Sequence, residues 1–427
     1  MKGMMPTIGW VLVALALLVS FGVDFANTAQ GGAIDLRNRI TGVRLMEHGI
    51  DAYHYKWHEG EPAEYCDPFN NPNLTVSRTT STPALLMLHL PLAALPYRLA
   101  QVLWLFLQWL LLLGTGWLWL HACTTSRARW LVALFVVGFT YTAVWRLHAE
   151  RGQVYVLLTF FFAWWLTVTL DPKRGNGFTA GFLAGFLATL RPPFVLLVPF
   201  LALHRRGQLA GAATGLLLGL GLPMVWEAGC WPDYFSAMRT NSELNWTHFY
   251  PHYTQAYPPR IEGVPTDILG HYVSIPFAEF SLPALWNWLG FAPLPDALLL
   301  LAAVAPFAVW LWFSRGLLAE RLLPGLAAWF FLIDLFLPAY RNSYNDVFIL
   351  DVVLLGLITA QKFPSGKFPW AAWPCVVALP VGWAVYAFEP EQAWLINLPS
   401  AFFTLGAILF LFLFNNRGES RKVGAAC

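Results

Sequence analysis

Apolar runs of membrane-crossing length dominate the sequence and leave few choices of fold. They cover roughly residues 8–23, 99–121, 130–145, 153–170, 209–226, 293–313, 322–339, 344–360, 369–387 and 394–414. A helix needs about 20 apolar residues to span a hydrocarbon core about 30 Å thick, so each run is a candidate crossing. Inside a bilayer only helices or closed barrels satisfy the backbone, and continuous apolar runs of this length are helical. The expected fold is therefore an all-α polytopic membrane protein. With 57% apolar residues and only 12% charged, a soluble core is excluded. Lys plus Arg number 26 against 24 acids, a balance that gives no footprint for nucleic acid. Lys2 precedes the first run and no small-residue cleavage site follows it, so it reads as a retained helix.

Charge resolves two ambiguous stretches. Residues 177–206 carry Lys173-Arg174 before them and Arg205-Arg206 after them, with Arg191-Pro192-Pro193 in the middle. Basic residues collect on the cytoplasmic side, so both pairs share a face and the stretch crosses twice. Residues 82–98, broken by Pro91 and Pro96, dip and return, which keeps Arg127 and Arg129 inside. The count becomes twelve crossings in a single polytopic domain, 1–427, with both ends cytoplasmic and outer segments at 24–98 and 227–292. Short inner connections then lie at 126–129, 171–177, 204–208, 314–321, 361–367 and 415–427. The expected location is the cytoplasmic membrane, with the chemistry facing outward. Cys66 and Cys230 fall in the two outer segments, where a disulfide and two free thiols both fit.

The first outer segment is the oddity. Asp35, Arg37, Arg39, Arg44, Glu47 and Asp51 crowd the stretch just beyond the first span. Its apolar spacing suits an interfacial helix with arginines reaching headgroups. Asp35 there can cap the helix or pair with Arg39 one turn on. Other outer turns also gather polar groups: Arg146, His148, Glu150, Arg151 and Gln153 in one, Arg191 in another, and Arg341, Tyr344 and Asp346 in a third. Each alone suits a snorkelling or capping residue, whereas arginine at successive outer turns suits phosphate. Asp334 and Asp351 lie at membrane depth, as structural pairs or as marks of an ion path. The pairs His54/His58 and His248/His252 stand at i,i+4 but lack a third ligand, so no metal site and no cofactor are expected.

In order, the chain offers an acid opening an outer helix, Gly49 and Tyr53, a proline-containing dip, Gly152-Gln153 at an outer hairpin, Arg191 before Pro192, and a late Arg341-x-x-Tyr344-x-Asp346 turn. This series resembles the polyprenyl-phosphate-sugar-dependent glycosyltransferases of the GT-C superfamily, in particular the polyprenyl-phosphate-mannose-dependent mannosyltransferases. The resemblance implies a GT-C-type fold and transfer of a sugar, such as mannose, from a polyprenyl-phosphate donor to a lipid or glycan acceptor on the outer face. Asp35 matches the position of the family's catalytic acid, and Asp24 is a second acid nearby. Arg341, Arg191, Arg151, His148, Gln153 and Tyr344 are then candidates for the donor phosphate and substrate. Ser81-Thr82-Pro83 and Tyr155 depart from the family's pattern. The expected partners are the lipid donor, the acceptor and membrane lipids, with no nucleic acid. A secondary transporter, a lipid flippase or a ligase using another lipid-linked donor are the alternatives. No repeat of the kind transporters carry is evident in the sequence.

Overall fold

The structure is a computed structural model that describes residues 4–31, 33–67, 70, 74–171, 176–248, 281–337, 341, 343–362, 368–388 and 397–414. Lys173-Arg174, residues 363–367 of the inner connection 361–367, the tail from 415 with Cys427, Asn342 and His252 lie outside these residues. No strand occurs among the described residues.

Helix α1 (Met4–Gly31) runs past the expected end of the first span, so Asp24 sits inside it. The residues exposed on α1 include Ile8, Val11, Leu12, Leu15, Leu18 and Val19, each at least 51% open. Water contact would cost about 1.5–3 kcal/mol for each large apolar side chain, so lipid is the solvent for this face. By length and composition, Thr7–Ala29, Tyr97–Ala122, Arg206–Val225 and Asp296–Ser314 can each cross. A bent pair, α6 (Ser126–Thr140) and α7 (Ala143–Glu150), makes up to five among the described residues, and shorter apolar helices such as Tyr155–Leu170 and Gly177–Leu190 pack between them. The twelve crossings counted from sequence include these short helices. Among the described residues only four helices, or five with the bent pair, are long and apolar enough to cross, and these short helices fall below that length.

Local chemistry accounts for the breaks. The 62° bend between α6 and α7 falls at Tyr141-Thr142. There Thr140 and Thr142 hydroxyls donate to Val137 and Phe139 carbonyls, while Thr142 accepts from the Trp145 N–H as a new N-cap. Helix α9 (Gly177–Leu190) opens on the Asn176 cap and stops at Arg191, whose backbone is extended because a proline follows. A 3-10 turn then leads into α10 (Leu197–His204). The dip is likewise two short helices, α3 (Pro83–Met87) and α4 (Leu90–Ala93), before α5 (Tyr97–Ala122).

Helices α9 and α11 (Leu209–Gly221) pack backbone to backbone. A Cβ at Gly181 would meet Gln208 O at 1.8 Å, and one at Gly185 would meet Ala212 O at 1.9 Å. Only hydrogen fits there, the small-residue contact by which helices associate in lipid. At the opposite end of the bundle from Arg191, Arg205 donates to Thr169 O at 3.3 Å and pairs with Glu320, tying together the ends of helices remote in sequence.

Helix α2 (Ile34–Glu47) corrects the interfacial reading. Most of its residues are buried, including Asp35, Arg39 and Met46. Its arginines turn inward: Arg44 donates to Ala93 O at 3.0 Å and Leu95 O at 2.9 Å, and Arg37 to Cys66 O at 3.4 Å. The turn Ala63–Tyr65 and the short helices α3 and α4 pack against the helix, so protein carbonyls replace the expected headgroups. Cys66 and Cys230 are both free buried thiols, without a disulfide between them.

Candidate active site

The entry to α2 is stitched to the turn that follows α7. Ala33 N–H donates to Glu150 O at 2.6 Å and Asp35 N–H to Arg151 O at 3.0 Å. Tyr97 OH donates to Ala33 O at 2.7 Å. Ala33 itself has φ 65°, a left-handed conformation that costs an L-residue about 1–2 kcal/mol and is held by these contacts. Gly152 nests beside it at φ 67°, and its carbonyl accepts from Arg39 Nη1 at 2.8 Å and Trp104 Nε1 at 2.9 Å.

This stitching delivers Asp35 to a ring of donors. Its Oδ2 accepts from Arg151 Nε and Gln153 Nε2, both at 2.6 Å, and Oδ1 accepts from Arg151 Nη2 at 3.1 Å. Arg78 Nη2 lies 3.6 Å from Oδ1. Gln153 Oε1 accepts in turn from Arg39 Nη2 at 2.7 Å, and Arg39 Nε donates to Ser81 Oγ at 3.1 Å. The fork of Arg151 is the bidentate geometry that binds a carboxylate most strongly. Burial pushes the Asp35 carboxyl up, but Arg151 and then Arg78 outweigh it and hold the group below the usual carboxylate range. Asp35 is therefore ionised at neutral pH. It neither caps α2, whose N-cap is Ala33, nor pairs with Arg39, which is spent on Ser81, Gly152 and Gln153.

Aromatic rings floor the cluster. Arg151 stands 5.7 Å over the Tyr344 ring, which lies 5.9 Å from Tyr155. Arg191 stands 4.7 Å over Tyr155 and pairs with Asp334. His148 Nε2 accepts from the Val156 N–H at 3.1 Å, supplying a partner to the first turn of α8 (Tyr155–Leu170), and its ring stacks on Trp145. The topology thus brings Asp35, Arg151, Gln153, Tyr344, Arg191 and His148 together.

Two candidates stand apart from the ring. Asp24 Oδ2 accepts from Trp109 Nε1 at 3.0 Å and Trp145 Nε1 at 2.8 Å, and Oδ1 from Arg146 Nη1 at 2.5 Å. These bonds clamp α1 to α5 and α7 and leave the carboxylate little capacity for a substrate proton. Asp24→Asn is expected to destabilise the chain by about 3 kcal/mol, because it strands a buried guanidinium. Turnover per folded molecule should stay near parental, measured by thermal unfolding and by transfer normalised to folded protein. Arg341 is 1% exposed, donates to Asp346, and lies 5.2 Å from the Phe331 ring. Asp346 also accepts from Ser400, so Arg341 braces the 3-10 turn Ser343–Phe348 that carries Tyr344.

Sequence reasoning missed Arg78 and Tyr155 as members of the ring and gave Arg39 a different partner. Arg78 sits in irregular chain, where no periodicity marks a face. Tyr155 stood out only as a departure from the family's pattern. The membrane-depth acids are both engaged: Asp334 with Arg191, and Asp351 as acceptor from Trp119 Nε1 at 3.0 Å.

A family model for glycosyltransferase family 87 matches residues 80–338. No curated protein and no solved structure matches the chain. The match covers more than half of the chain, from the dip through Arg151, Gln153, Arg191 and Asp334, while Asp35 and Tyr344 flank it. The chain belongs to glycosyltransferase family 87, a family of GT-C-type membrane glycosyltransferases.

Proposed function

We propose that this glycosyltransferase takes a sugar, mannose in the first instance, from a polyprenyl-phosphate donor on the outer face and transfers it to a lipid or glycan hydroxyl. One observation carries the reading: a single buried carboxylate, Asp35, is enclosed by the guanidiniums of Arg151, Arg78 and Arg39. The three guanidiniums outnumber the acids beside them even with the buried Glu150 next to Arg151 counted, which leaves excess positive charge in a buried site. That excess suits a phosphodiester, and suits still better the phosphate that gains charge as the sugar leaves. Arg78, whose side chain is 30% exposed, is the cation most open to an arriving donor.

Asp35 is the base in this scheme. The sugar phosphate already carries a good leaving group, so no general acid is needed. The acceptor oxygen forms its bond to the anomeric carbon as the carbon–oxygen bond to phosphate breaks, and the hydroxyl proton passes to Asp35. Direct displacement with one base inverts the anomeric centre, as for the activated nucleophile of inverting glycosidases. Arginines that share themselves with the donor phosphate hold Asp35 less tightly, so its proton affinity rises as the donor binds. Gln153 orients the carboxylate, Tyr344 and Tyr155 shape the floor, and Arg191 and Arg341 act at one remove through their own acids.

Purified full-length protein offered radiolabelled polyprenyl-phosphate mannose and a membrane lipid extract is expected to label lipid or glycan. It should ignore the corresponding nucleotide sugar. Turnover of the nucleotide sugar alone would refute the donor assignment. The outer face has a separate check. In intact cells an impermeant thiol reagent should label Glu59→Cys and spare Arg127→Cys, both exposed positions. The opposite pattern places the site in the cytoplasm.

A further inference from the structure

Away from the Asp35 ring, three carboxylates from the two outer segments converge. Asp51 stands just beyond α2, while Glu227 and Asp233 flank the start of α12 (Cys230–His248). One carboxylate oxygen of each lies within 4.8 Å of the other two. Asp51 is held in place: Oδ1 accepts from the Tyr53 N–H at 2.8 Å and the His54 N–H at 3.3 Å, and Oδ2 meets His54 Nδ1 at 2.7 Å. Asp233 Oδ2 rests against Gly229, where a Cβ would come within 3.1 Å.

Glu227 distinguishes this cluster from an ordinary acidic patch. The residue is 9% exposed, so more than nine-tenths buried. Its Oε2 is sealed from solvent with no hydrogen-bond partner. A carboxylate oxygen sealed without a partner, beside two further acids, is costly unless a positive charge or a shared proton joins it.

We propose that Asp51, Glu227 and Asp233 bind a hard divalent cation, with calcium the best fit. All three donors are oxygens, the preference of calcium and magnesium rather than of zinc or copper. Oxygen separations within 4.8 Å fit the first shell of either ion, but magnesium usually takes only one or two carboxylates in strict octahedral geometry, whereas calcium accepts several in a flexible shell. Water completes the shell of a site with this few protein ligands. His54 stands behind Asp51 and orients it, as second-shell groups do for metal-bound carboxylates. The cation would tie the segment carrying Asp35's helix to the second outer segment. Asp51 and Glu227 are too distant in sequence to show a ligand spacing.

The test is binding of calcium by the full-length protein purified in detergent with a chelator and then dialysed free of it. Equilibrium dialysis against radioactive calcium should give one saturable ion per chain and a rise in Tm on loading. Glu227→Gln should weaken binding roughly 100-fold. Its Tm without calcium should equal or exceed the parent's, because a repulsion is removed. Asp51→Asn provides a second variant from the other segment should Glu227→Gln misfold. No saturable uptake, or uptake unchanged in both variants, would overturn the proposal and leave a proton shared by Glu227 and Asp233. The readout is binding rather than transfer, so it is independent of the donor assignment.

Discussion

Asp35→Asn is expected to lower transfer by about 10²- to 10⁴-fold while the protein still extracts, folds and binds donor. The amide preserves shape and one acceptor oxygen but cannot take the acceptor's proton. A loss of that size corresponds to about 2.7–5.5 kcal/mol of transition-state stabilisation. A purely structural Asp35 gives a different signature. Removing its charge beneath Arg151 and Arg78 lowers Tm on either reading, but with a purely structural Asp35 turnover per folded molecule would persist. Rate, donor affinity and Tm must therefore be measured together on one preparation. A variant of reduced Tm with undiminished turnover assigns Asp35 to the architecture and removes the base from the mechanism. Loss of rate with donor affinity intact assigns it to chemistry.

The convergence of Asp35, Arg151 and Gln153 was legible in the sequence because topology alone decides it. The first span and the α6–α7 pair both deliver their ends to the same face, and charges at those ends have nowhere else to meet. The break at Arg191 was legible for a simpler reason, since proline forces the preceding backbone out of the helix. What the sequence hid is set by irregular chain. The turn Ala63–Tyr65 and the α3–α4 dip meet α2 with backbone carbonyls, and nothing in their periodicity says that Arg44 bonds Ala93 and Leu95 rather than headgroups. Arg78 reaches Asp35 from the same kind of segment. Asp24 was placed in a loop because polar residues follow it, yet α1 continues to Gly31 and the two indole donors at Trp109 and Trp145 absorb its charge. Pairings such as Arg341 with Asp346 compete with ligand binding for the same donors, and composition cannot say which use prevails.

Gly152→Ala should be the most damaging substitution outside the reacting groups, with a fall in transfer of about 10²-fold. Gly152 joins two constraints. Its φ of 67° disfavours an L-residue, and an added Cβ would stand 2.8 Å from Leu36 Cβ and 2.9 Å from Ala33 Cβ. Neither neighbour is the far end of a flexible side chain, so backbone must move. The left-handed strain costs about 1–2 kcal/mol and the overpacking about 1–3 kcal/mol more. The displacement matters more than the energy. Ala33 N–H and Asp35 N–H bond the Glu150 and Arg151 carbonyls immediately before Gly152, so pushing Gly152 away from α2 shifts Arg151 and Gln153 relative to Asp35. A misplacement of about 1 Å in such a constellation can cost about 10²-fold in rate. Adding Ala33→Gly removes one of the two clashes and the strain at φ 65° together, while the Leu36 contact remains. The double variant should recover part of the lost transfer, measured as turnover per folded molecule against the single variant. Full activity in Gly152→Ala alone would show that the α2 entry and the Glu150–Gln153 turn move independently, and that Asp35 is not positioned by this contact.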